Sequence, residues 1–81
     1  MSDSPSKLHA TGVNFFEQGR KLMASHSYET AINAFEIARE RGQRPRECLE
    51  YIRDCYNFLD LPQLAAVFQE RLELMDARSR T

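Results

Sequence analysis

Apolar and small residues recur along this chain at intervals of three and four, and the clearest run is Tyr28, Ala31, Ile32, Phe35 and Ala38. These fall on one stripe about a third of a helix wide, the width of a helix pressed into a core. Ala31 and Ala38 admit a neighbouring helix, and Phe35 between them supplies bulk. Ser27 before the run is a good N-cap, and Gly42 after it can take the left-handed conformation that closes a helix. Upstream, Leu8, Gly12, Phe15, Phe16, Gly19, Leu22 and Met23 repeat the period, with Ser4 and Pro5 as cap and first helical residue. Gly12 and Gly19 lower helix propensity by about 1 kcal/mol each. Seven apart and on one face, they imply close approach of a second helix, although a frayed first turn also accounts for Gly12.

Downstream, Pro45 starts a third helix whose buried face is Cys48, Leu49, Ile52, Cys55, Tyr56 and Leu59. Asp60-Leu61-Pro62-Gln63 then reads as an acidic cap, a first-turn proline and a capping-box partner. The fourth helix buries Leu61, Leu64, Ala65, Phe68, Leu72 and Met75. The expected organisation is a flexible lead over 1–6, a single helical domain over 7–76 and a frayed tail over 77–81. Four helices with very short connections run antiparallel to their neighbours. Either a closed bundle or two stacked hairpins satisfies that.

A shift of 34 residues lays Phe15 on Leu49, Leu22 on Tyr56, Tyr28 on Pro62, Ala31 on Ala65 and Ala38 on Leu72. A period of that length over helix–turn–helix units marks a repeat array. Phe15-x-x-Gln18-Gly19-x-x-Leu22 followed by Ala31-x-x-x-Phe35-x-x-Ala38 resembles the tetratricopeptide repeat, and Tyr56 and Ala65 match in a second copy. The second copy departs at Arg53 in place of glycine and at Phe68, one residue early; Pro45 falls two residues after the family's closing proline. The resemblance covers Gly12 to Met75. It implies an all-α fold of two stacked antiparallel helical hairpins, a fragment of an α-solenoid whose concave face is lined by the first helix of each pair. On that register Val13, Phe16, Arg20 and Met23 face the groove from the first hairpin, and Glu47, Glu50, Asp54, Asn57 and Phe58 from the second. Aromatic ends with an acidic row between them suit a helix or extended peptide carrying basic and apolar residues; the same acids also read as the solvated side of a surface helix. Family members that grip acidic C-terminal tails use a lysine–asparagine clamp where Phe16 and Arg20 stand, so that ligand is not expected.

The chain has 81 residues, a formal charge of −1, 42% hydrophobic and 28% charged residues, and a pI near 6.1. This describes one folded domain without the basic excess of a nucleic-acid binder. No apolar run reaches the roughly 20 residues of a membrane span, and no leader-like segment opens the chain. The two cysteines lie seven apart on one helix, roughly 10 Å along its axis, too far to bond. They are expected as reduced core thiols in a cytoplasmic protein. His9, His26, Cys48 and Cys55 show no metal-ligand spacing, and neither a phosphate loop nor a nucleophile motif occurs, so neither an enzyme nor a cofactor is expected.

Two further features concern partners. Arg39, Arg41, Arg44 and Arg46 surround one turn and would either hold a phosphate, nucleic acid or acidic segment or serve helix ends structurally. Val67 and Leu74 extend apolar surface around the last helix, where a terminal repeat normally turns polar. The expected function is a small adaptor or chaperone that binds a partner segment and is completed by self-association or an obligate complex, or else a structural layer of a larger assembly.

Overall fold

The computed structural model describes residues 12–80. Four helices run in order: α1 (Phe15–Ala24), α2 (Tyr28–Glu40), α3 (Pro45–Phe58) and α4 (Pro62–Ser79). The cap expected at Ser4 and Pro5, Leu8, and the lead over 1–6 lie outside the described residues. Gly12 is in a turn and Asn14 caps α1 by accepting from the Glu17 N–H, so the helical period read upstream of Phe15 is not continued through Gly12 to Asn14. At the other end α4 stays helical through Ser79, past the point where a frayed tail was expected.

The first three helices close alike, although the α2–α3 junction is one residue longer and holds a second left-handed residue, Arg44 (φ 49°), at the N-cap of α3. His26, Gly42 and Asp60 take positive φ (63°, 75° and 61°) directly after a C-cap. In each, the next N–H returns to a carbonyl five residues back: Ser27 to Leu22, Gln43 to Ala38 and Leu61 to Tyr56, all at 2.8 Å. Paired with the inner bonds from His26 to Met23, Gly42 to Arg39 and Asp60 to Asn57, these are Schellman closures. Asp60 therefore ends α3 rather than capping α4. Leu61 occupies the N-cap position of α4 and is exposed, as is Leu64, which removes both from the expected core. Ser27 sits at the N-cap of α2 without a side-chain bond, and Pro45 is at the start of α3 as read from the sequence.

The turn inside each hairpin repeats at an interval of 34, with Ala24 and Phe58 closing the first helices, Tyr28 and Pro62 opening the second, and His26 and Asp60 sharing the left-handed seat. By contrast, α1 and α3 start at Phe15 and Pro45, and α2 and α4 end at Glu40 and Ser79, out of that register. Contacts follow chain order, α1 on α2, α2 on α3 and α3 on α4, without seating α4 against α1 as a closed bundle would. The result is an open stack of two antiparallel hairpins, 46 × 33 × 15 Å, with a radius of gyration of 14.4 Å. A globular chain of this size would have about 12 Å.

The core holds Ala31, Ile32, Phe35, Ala38, Cys48, Leu49, Ile52, Cys55, Phe68 and Leu72, largely the stripes read from the sequence, with Ala34 and Ala65 also buried. Phe35 lies on Gly19 so closely that a Cβ there would stand 2.7 Å from its ring. The second hairpin treats these seats differently. Arg53 and Gln69 replace Gly19 and Phe35 in register and are joined by a hydrogen bond of 2.7 Å, while the aromatic moves to Phe68 and packs on Tyr56 at 5.6 Å.

Candidate functional site

The face shared by α1 and α3 carries the most exposed aromatic surface. Phe58 is 62% exposed although it is an aromatic at a helix end. Tyr28 stacks on it at 4.9 Å and 11°, and His26 stacks on Tyr28 at 5.9 Å. The Schellman closure of α1 brings these rings together, because it turns the chain within two residues and sets Tyr28 at the start of α2. Arg20, Met23 and Ala24 of α1 and Tyr51 of α3 complete a hollow of about 460 Å³. Tyr51 roots the floor, stacking on Phe35 at 5.2 Å and meeting Phe16 at 5.6 Å.

The residues expected to face one groove are distributed over several places. Arg20, Met23 and Phe58 line the hollow. Phe16 does not face a partner: it is buried, edge-on to Phe35 at 5.8 Å. Val13 is exposed in a neighbouring hollow of about 360 Å³ with Phe16, Gln43 and Arg44. Glu47, Glu50 and Asp54 do not form a free acidic row, because each is paired within the chain, to Arg44, Arg46 and Arg53. Asp54 and Asn57 line a separate hollow between α3 and α4 with Arg53 and Gln69. The physical reason is a rotation of one residue. Carrying Phe16 forward by 34 gives Glu50, whereas the stripe that faces the hollow passes through Tyr51 and Phe58. Tyr51 was legible only as a residue seven before Phe58 on the same helix face; His26 and Tyr28 carried no such signal.

Gln43, in the turn between hairpins, holds the site's upper edge. Its Oε1 accepts from the Phe15 and Phe16 N–H groups at 2.8 and 3.3 Å, and its Nε2 donates to the Val13 carbonyl at 3.1 Å. It thus satisfies first-turn donors that no residue of α1 reaches.

The arginine turn does not converge on one point. Arg39 pairs with Glu36, Arg41 lies over Phe15 at 5.0 Å, Arg44 lies over Phe16 at 5.4 Å, and Arg46 spans Glu50 and Asp76. The Arg46 guanidinium holds the Asp76 carboxyl below its usual range. Burial pushes the thiols of Cys48 and Cys55 from 9.0 up to about 11, and Cys48 donates to the Gln43 carbonyl at 3.2 Å. Both are therefore protonated at neutral pH and lack nucleophilic character. Among the described residues no cluster of His, Cys, Asp and Glu would hold a metal ion, and no helix is long and apolar enough to cross a membrane.

On α4, Val67 and Leu74 are 41% and 59% exposed, Val67 beside Gln63 and Glu70, and Leu74 beside Arg39, Arg71 and Arg78. The end face of the second hairpin is polar instead, closed by Arg53, Asp54, Asn57 and Gln69. No protein-family model, no curated protein and no solved structure matches the chain.

Proposed function

We propose that the chain is a non-enzymatic protein-interaction module, a pair of tetratricopeptide-like hairpins that holds a segment of a partner protein between α1 and α3. The observation that carries this reading is Phe58, an aromatic left 62% exposed on a helix while stacked on Tyr28 above an open hollow. Exposed aromatic surface of that kind is characteristic of binding hot spots. The 34-residue recurrence of the turn inside each hairpin supports the family resemblance, and the pairing of every acid in the supposed row removes the reason to expect a basic ligand.

Panning a displayed peptide library against the chain tests the reading. Enriched peptides are expected to lose at least about tenfold in affinity for Phe58→Ala while its unfolding midpoint stays that of the parent chain. Undiminished affinity would move the binding surface elsewhere. A second interaction, self-association through the outside of α4, is favoured by Leu61, Leu64, Val67 and Leu74, each more than 40% exposed. The phosphate-binding alternative has no comparable support, since the arginines at the turn are engaged individually.

A further inference from the structure

The hollow between α1 and α3 has a one-sided polarity. Among the described residues Arg20, His26, Tyr28 and Tyr51 line it, and no carboxylate does. Neither tyrosine hydroxyl is engaged by another described residue. Arg20 gives one N–H to Glu17 at 3.4 Å and keeps its other donors. Arg20 can only donate, and the tyrosine hydroxyls can donate as well as accept, so a ligand rich in acceptors can be bonded throughout the site. A helical segment has already committed its backbone carbonyls internally, and an extended strand brings as many N–H groups as carbonyls. Proline brings a carbonyl with no N–H, and a polyproline helix leaves those carbonyls unbonded.

Spacing points the same way. Tyr51 and Phe58 stand seven residues apart on α3, about 10 Å along its axis. A polyproline helix advances about 9 Å in a turn of three residues. Two rings at that interval meet residues i and i+3 of such a ligand, and Tyr28, stacked behind Phe58, widens the second contact.

From this geometry we infer that the groove takes a proline-rich segment in the polyproline conformation. Prolines three apart sit on Tyr51 and Phe58, and ligand carbonyls accept from the free hydroxyls and from Arg20. The inference rests on the interaction-module reading above and names its partner class.

Fluorescence anisotropy with three labelled peptides of equal length tests it: one with prolines three apart in a proline-rich background, one with those prolines changed to alanine, and one apolar peptide with acidic flanks. The proline peptide is expected to bind at least about tenfold more tightly than either other. Phe58→Ala should weaken it about tenfold or more, and Tyr51→Phe, which keeps the ring and removes a hydroxyl, about threefold to tenfold. Equal binding of the alanine or acidic peptide overturns the proline assignment and leaves the groove reading standing. Proline-peptide binding unchanged in both variants places the peptide elsewhere and overturns the inference. Failure of all three peptides to bind up to about 1 mM contradicts the groove reading as well.

Discussion

Phe35 is fully buried, and its ring occupies the space that a side chain on Gly19 would need. Gly19→Ala should therefore destabilise the protein by about 1–3 kcal/mol in urea unfolding, although alanine is the better helix former. Stability equal to or above that of the parent chain would show that the ring moves aside freely. The thiols give a prediction in pH. Their folded pKa values are raised from 9.0 to about 11, so their contribution is complete below about 9 and is lost as pH rises toward about 11. Unfolding midpoints should fall across that window, and should fall less in a Cys48→Ala, Cys55→Ala double variant. At this scale the sequence was a good guide wherever burial leaves a helical period, as at Phe35, Cys48, Ile52 and Cys55. It was a poor guide at Phe16, because Phe15 and Phe16 are adjacent aromatics and periodicity alone does not say which turns inward.

Helix boundaries are set by the closures more than by N-caps. Asp60 illustrates the difference: read as an acidic N-cap, it instead holds a left-handed seat at φ 61°. Asp60→Gly should be neutral or stabilising by up to about 1 kcal/mol, since glycine takes that conformation without penalty; a clear loss would restore the N-cap role. The error is physical, because aspartate followed by leucine and proline satisfies both patterns until the N–H of Leu61 is seen to bond the Tyr56 carbonyl. Gln43 had no signal at all, being a loop residue whose partners lie 27–30 positions away. Gln43→Ala should cost about 1–2 kcal/mol and raise amide exchange at Phe15 and Phe16 ahead of the rest of α1. Uniform exchange along α1 would mean that the amide of Gln43 is not its anchor.

For the molecule as a whole, the two hairpins agree at their inner turns and differ in the middle of their helices. Gly19 seats Phe35, whose ring stacks on Tyr51 of the following hairpin, whereas Arg53 and Gln69 close the stack with a polar pair. The stack thus ends in its own polar face, and apart from Phe58 in the groove most of the exposed large apolar residues, Leu61, Leu64, Val67 and Leu74, belong to α4 and its N-cap. Sedimentation equilibrium should show self-association that weakens in Leu64→Gln, Leu74→Gln; an unchanged species would remove α4 as the interface. The all-α stack of hairpins was legible because four amphipathic stripes and a 34-residue register survive in the residues themselves. The groove was legible only in part, since its orientation depends on a rotation of one residue that the register does not fix. Chemical-shift mapping of an enriched peptide on the labelled protein tests the central claim most directly. Perturbations are expected to cluster at Arg20, Met23, Tyr51 and Phe58, and a cluster at Leu64, Val67 and Leu74 in their place would contradict it.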